Sequence, residues 1–387
     1  MRIKLVEESE GLLARVLNIR LKYFLVGTPK RALSSSHNKY CEAGINTGSP
    51  RGIVEIYRRF DSKSLNEMCS DEKKRNKIRY EFSSAIKKAR KNEMVALIPE
   101  IKITEDHREK SVEFLSDMLL HPRINLVAVP IFWNAPLPKV FENIRLFVEA
   151  CSYADDLWIA PTVMPLLPLE LEKLIKEYQK LYDQFTNFLM NYMFIDFSRS
   201  NPVSRYDLLR FVLRNTKKLS SEIDSPICLH GVNIKYGKAV HKENVVPAKD
   251  LISPYVGIDI IGSNHKPLPL PREYVARKKI KILDVNDYGY WDLNYAFNKK
   301  ILEPEGSLIT LDQLKGLSHN KTWAEVMAKI YNVEKQSLEM PRISKIIVEN
   351  PSKVNKYLDG KNSLDDRTRK IVKKAYGDVY AQRTLQV

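Results

Sequence analysis

Short, almost uninterrupted apolar runs recur along the first three quarters of the chain, separated by stretches with helical spacing, and this rhythm leaves few folds open. Eight runs of strand length stand out: KYFLVG around Tyr23, MVALIPEIKI from Met94, NLVAVPIFW from Asn125, DLWIAPTVM from Asp156, NYMFIDFS from Asn191, PICLHGVNI from Pro226, VGIDIIGS from Val256 and KIKILDVN from Lys279. Runs without polar alternation belong to strands buried on both faces, as in a parallel sheet covered by helices. Between them, Arg108–Leu120, Pro138–Ala150, Pro168–Met190 and Ser204–Leu219 space their apolar residues as helices do, and Ser204 is a suitable N-cap. The pattern predicts an α/β fold, a (β/α)8 TIM-like barrel over residues 1–305. No glycine-rich fingerprint follows the first run, which argues against a dinucleotide-binding sheet.

Residues 28–91 are too many for a simple connection. They contain TPKRALSSSHNKY, GINTGSPRG and two charged stretches of helical character, EIYRRF and SDEKKRNKIRYEFSSAIKKARK, so the segment reads as an insertion after the first strand. After Gly306 strand-like runs cease. Four short helix-like segments, near Leu311–Leu317, Trp323–Tyr331, Ile343–Leu358 and Leu364–Tyr376, predict a small basic helical C-terminal domain over 306–387.

Lys and Arg number 63 against 47 Asp and Glu, a formal charge of +16 that draws polyanions to the surface. Nucleic acid, DNA or tRNA, is the expected partner, and a homodimer is left open. Basic residues next to aromatics in YRRF (Arg58, Arg59) and KYGK (Lys235, Lys238), with Lys370, Lys373 and Lys374 near the C-terminus, are candidate phosphate contacts. Each such patch can equally be a solvated face. The opening residues do not resemble a secretory leader, and no run approaches the length of a membrane span, so a cytoplasmic protein is expected. Cys41, Cys69, Cys151 and Cys228 have no paired spacing and read as reduced thiols. No metal site and no cofactor is expected, since His230, Asp259 and His265 lack ligand spacing in sequence and would form a set only on adjacent strands.

In a barrel of this kind, chemistry gathers at the C-terminal ends of the strands. Polar residues expected there include Glu100, Lys102, Trp133, Asn134, Thr162 and Asp284. Asp196 interrupts YMFIDF, with Ser198 and Arg199 just beyond; a carboxylate there must be paired or neutral, either as an acid–base group or as half of a structural Asp–Arg pair. His230 in LHGVN is followed by Gly231, which would let a ligand approach the backbone, and by Asn233, which could read a planar polar group. Asp259 in YVGIDIIGSNHKP, with Asn264 and His265 after it, is either a nucleophile or base at the mouth or a structural carboxylate.

From Asn191 to Lys266 the order is strand, helix, PICLHGVNI, a helix around Ala248–Ser253, then YVGIDIIGS. This resembles the second half of the barrel in the tRNA-guanine transglycosylase superfamily, and YFLVGTPKRAL is similar to the start of barrels in the branch that places 7-deazaguanine bases into DNA. The resemblance covers about a quarter of the chain. It implies base exchange on a polynucleotide: an aspartate attacks the sugar carbon, guanine leaves and a deazaguanine replaces it, with a second aspartate as general acid or base. On that pattern Asp259 would be the nucleophile, Asp196 its partner, and His230 to Asn233 would line the base pocket. Two departures stand: Ile261–Gly262 replaces the family's F-D pair, and the family's Cys-rich zinc site is missing. A noncatalytic nucleic-acid-binding barrel and a barrel enzyme for a small anionic metabolite are the alternatives.

Overall fold

The computed structural model describes residues 1–8, 14–21, 24–37, 52–102, 121–133, 135–154, 156–237, 244–266, 279–299, 301–317, 319–349 and 353–384. The chain is a mixed α/β fold in which helices cover two parallel sheets, with two small antiparallel sheets beside them. One parallel sheet orders its strands Leu33–Ser34, Ile53–Asp61, Met94–Lys102, Leu126–Ala128 and Trp158–Ala160, with Ile131–Trp133 also on Met94–Lys102. The other runs Thr162–Val163, Tyr192–Asp196, Cys228–Val232, Ile260–Ile261 and Lys30–Arg31. Only Ala32 separates the two end strands on one side, and only Pro161, which has no N–H to donate, separates them on the other. The Ala32 amide bonds the Ile261 carbonyl at 2.9 Å, and the Phe194 amide bonds the Pro161 carbonyl at 2.8 Å.

Six of the eight expected runs supply parallel strands; the first and last do not. KYFLVG gives Phe24–Gly27, which pairs antiparallel with Arg15–Leu21, and KIKILDVN gives Lys281–Asp284, which pairs antiparallel with Gly289–Asp292. Their places in the parallel sheets are taken by 30–34 and Ile53–Asp61, both inside the supposed insertion 28–91. EIYRRF is therefore a strand, not a helix. Its residues alternate: Arg58 pairs with Glu81 at 2.9 Å and Phe60 stacks near Phe82 of the helix Glu72–Lys87, whereas Glu55 and Tyr57 face His230 and His265. Two consecutive arginines at the strand's far end hide that alternation.

The helices Leu137–Ser152, Pro168–Gln184 and Tyr206–Glu222 lie where helical spacing predicts them. The last begins after Arg205 rather than Ser204, whose amide and hydroxyl both donate to the Asn201 side chain. The helix expected around Ala248–Ser253 is instead a 3₁₀ turn at Ser253–Val256. Arg108–Leu120, Asn134 and Cys41 fall outside the described residues. Cys151 and Cys228 are buried and Cys69 is exposed. Among the described residues no helix is long and apolar enough to cross a membrane.

Beyond Gly306 the helices are Leu311–Gly316, Lys321–Glu349, Val354–Asp359 and Asp366–Thr384. The expected break between residues 331 and 343 is absent: one helix runs through Pro341. Burial on both sides of the proline outweighs the lost hydrogen bond, because Met340, Ile343 and Ile347 pack into the main core. Arg31, buried at the outer face of its strand, donates to Gln336 at 2.6 Å, and Gln336 donates to Asp250 at 2.6 Å. These bonds tie the helix to the parallel strands, and Val354, Leu358, Leu364 and Val372 join the same core.

Candidate active site

A pocket of about 600 Å³ opens at the C-terminal ends of the parallel strands. Phe132, Leu137, Met164 and Leu166 form an apolar wall, and Arg59, Glu100, Asp196, Ser198, Arg199 and Lys266 supply the polar side. Glu100 comes from Met94–Lys102 and Asp196 ends Tyr192–Asp196, two strands that are not neighbours. Lys266, in the loop after Ile260–Ile261, links them: its Nζ lies 3.0 Å from Asp196 Oδ2 and 3.5 Å from Glu100 Oε1.

The two carboxylates have different surroundings. Asp196 accepts from the Ser198 amide at 2.9 Å, the Ser198 hydroxyl at 2.7 Å and Asn233 Nδ2 at 2.8 Å, besides Lys266. Its lone pairs are occupied and its position is held from four sides. Glu100 is buried, and its Oε2 has no hydrogen-bond partner. Burial pushes the Glu100 carboxyl above its ordinary value; Lys266 opposes this and the charge of Asp196 adds to it. Ser198, Arg199 and Asn233 all take positive φ, at 46°, 68° and 56°, a cost that non-glycine residues bear where surrounding bonds hold them.

Beneath the pocket lies a second constellation around Glu55, which is fully buried. Its carboxylate accepts from His230 Nε2 at 2.7 Å, His265 Nε2 at 2.8 Å and the Ser263 amide at 2.8 Å. With Nε2 donating, His230 Nδ1 accepts from the Tyr192 hydroxyl at 2.8 Å. Tyr57 stacks on His265 with ring centroids 4.8 Å apart. Burial alone would raise the Glu55 carboxyl, but the hydrogen bonds donated by His230 and His265 outweigh it and hold the group well below its ordinary value. Gly262 makes room for this: a Cβ there would overlap Glu55 Oε1 and the Gly231 carbonyl.

The residues singled out from sequence divide accordingly. Asp196, Ser198, Arg199 and Arg59 line the pocket. His230, Asn233 and His265 are brought together below it as positioning groups; Asn233 is fully buried between Asp196 and the His265 amide rather than open to a ligand. Gly231 does not serve close approach of a ligand, because Ile234 and Phe197 fill the space beside it. Asn264 is exposed. Asp259 is not brought to Asp196. It accepts from Arg15 Nε at 3.0 Å and Nη2 at 2.7 Å and from the Leu229 amide at 2.6 Å, at the N-terminal ends of its strand and of Cys228–Val232. Asp196 pairs in register with Val232, at the opposite end.

Of the basic candidates, Arg58 is bound to Glu81, Lys373 lies 3.7 Å from Asp359, and Lys374 lies 5.9 Å from the Tyr206 ring. Lys235 lines a neighbouring groove, Lys370 is exposed, and Lys238 is outside the described residues. Sequence reasoning missed Glu55 and Lys266. Glu55 carried the signal that exposed Asp196, a carboxylate inside an apolar run, in IVEIY. Lys266 had no such mark.

Ionising Glu100 in this setting opposes folding. Because its folded value is raised, stability falls as pH rises through that value, and Glu100→Gln is expected to be more stable than wild type at neutral pH. The gain should fade as pH drops toward 4.5, which urea denaturation at several pH values would check. No protein-family model matches the chain, and no curated protein matches it either.

Proposed function

We propose that the two parallel sheets are arcs of one closed (β/α)8 barrel, and that its mouth is the active site of a transglycosylase-like enzyme exchanging a guanine-type base in nucleic acid. The single-residue breaks at Ala32 and Pro161 support the first part, since at each the chain passes directly from an end strand of one sheet to an end strand of the other. The second part rests on the Glu100–Lys266–Asp196 arrangement: one carboxyl raised by burial and one held in place by Lys266 in a single pocket.

In this reading Asp196, not Asp259, attacks the sugar C1′, the Lys266 contact to its Oδ2 giving way to the sugar carbon. A bond forms from its carboxylate oxygen to C1′ as the C1′–N bond to guanine breaks, and protonated Glu100 gives its proton to the departing base. The incoming base returns a proton to Glu100, attacks C1′ and frees Asp196. The apolar wall of Phe132 and Met164 suits the flat face of a base, and Arg59 and Arg199 suit the flanking phosphates. The resembled family carries a carboxylate directly after the position of Ile261. Here Glu55 brings one into the space that a side chain at Gly262 would take.

The test is incorporation of radiolabelled guanine into tRNA, duplex DNA and single-stranded DNA. Incorporation into one of them is expected, with Asp196→Asn and Glu100→Gln each slowing it by about 10²-fold or more while polymer binding is retained. Binding of a polymer without incorporation would overturn the exchange reaction and favour a noncatalytic nucleic-acid-binding barrel. Binding of none would favour a small anionic metabolite as substrate.

A further inference from the structure

We propose that the cleft between the end of the helix Lys321–Glu349, the helix Val354–Asp359 and the loop at Asn286 binds the phosphates of a nucleic acid backbone, as a site separate from the barrel mouth. The cleft has a volume of about 700 Å³, and five cations line it: Arg342, Lys345, Lys353, Lys356 and Lys361. Glu349 is the single acid in the lining; it faces Lys345 at 3.8 Å, with both side chains more than half exposed. Such a pair contributes little and leaves the cleft strongly positive. Among the described residues no acid forms an ion pair with Arg342, Lys353, Lys356 or Lys361.

Two of the five cations are held by the fold. Lys361 is only 4% exposed; its Nζ donates to the Val285 carbonyl at 2.7 Å and lies 4.4 Å and 4.3 Å from the Tyr288 and Tyr357 ring centroids. The Arg342 guanidinium sits 5.6 Å from the Tyr357 ring on the other side. Burial pushes the Lys361 amine down to about 8; the charges of Glu339, Asp284 and Asp287 oppose this and that of Arg342 adds to it. A single phosphate would not fill this volume or engage the four exposed cations, whereas successive backbone phosphates would. Position also favours a strand. The next residues along both loops, Asp287 and Asn362, line a groove of about 820 Å³ whose lining includes Arg199, a residue shared with the barrel-mouth pocket.

The full-length protein with Lys353→Glu and Lys356→Glu should be compared with Lys73→Glu and Lys77→Glu, two exposed lysines on the helix Glu72–Lys87 that give the same change in net charge. Binding of a labelled single-stranded oligonucleotide is measured across a salt series. The cleft variant is expected to lose about tenfold or more in affinity and to flatten the slope of log affinity against log salt by about 1.4, the loss of two single-strand phosphate contacts. The control pair should shift neither by more than about twofold in affinity. Equal weakening in both variants, or none in the cleft variant, would overturn the site. If pyrophosphate binds wild type as tightly as the oligonucleotide and loses that binding in the cleft variant, the ligand is a small polyphosphate and the backbone assignment fails. The readout is binding, so its outcome does not depend on whether the barrel mouth exchanges bases.

Discussion

Asp259→Ala is expected to lower the free energy of unfolding by about 3–5 kcal/mol, the range for removing one partner of a buried ion pair. Arg15 makes a two-pronged contact with this carboxylate and also donates to the Ile227 carbonyl, while Asp259 itself caps the Leu229 amide. The substitution removes the carboxylate from a guanidinium with 15% side-chain exposure and leaves a buried N–H without its acceptor. The group joins the N-terminal antiparallel sheet to the parallel strands, so the loss should appear as a lower denaturant midpoint. Any guanine incorporation, measured at a temperature where the variant is folded, should stay within about threefold of wild type, since Asp259 lies at the far strand ends from the pocket. A variant that keeps wild-type stability but loses turnover would show that Asp259 belongs to the chemistry. Arg15→Met should destabilise too, and the double variant less than additively, because the two residues act as one unit.

Glu55→Gln should cost about 3 kcal/mol, because three donors converge on a fully buried carboxylate and a glutamine NH₂ cannot accept from any of them. The pH dependence separates this effect from simple misfit. Glu55 has a lowered value in the folded protein, so its contribution is present above the ordinary 4.5 and is lost as pH falls below it. The gap between wild type and variant should therefore be widest near neutral pH and shrink on acidification through 4.5. Denaturation curves at several pH values would measure it. A gap that did not change with pH would mean that the charge of Glu55 contributes nothing. His265 should also lose its fixed place against Tyr57, which imino-proton NMR of the two histidines would report.

The strands Met94–Lys102, Tyr192–Asp196 and Cys228–Val232 were legible because burial on both faces leaves a mark in composition alone: every residue but the last of the first is buried. KYFLVG carries the same mark but pairs antiparallel with Arg15–Leu21, the strand just before it in the chain. Composition does not record that choice of partner. Ile53–Asp61 was misread for the opposite reason. Its inner residues are Glu55 and Tyr57 and its outer ones include Arg58, so the polar groups that make it interesting also break the apolar run.

The candidate site shows the same division. Asp196 was visible as a carboxylate in an apolar run, and so was Asp259; nothing local tells them apart. What separates them is register. Asp196 stands beside Val232 at the C-terminal end of its neighbour, whereas the Asp259 side chain caps Leu229 near the N-terminal end of the same strand. The meeting of Glu100 with Lys266, of Glu55 with two histidines, and of five cations in one cleft likewise depends on residues far apart in sequence. The sequence by itself determined which segments could be buried strands and helices, because hydrophobic periodicity is a local property of the chain. Tertiary structure alone decided which carboxylates share a pocket and which one is tied up by an arginine, because pairing and register are properties of neighbouring strands and are written in neither one separately.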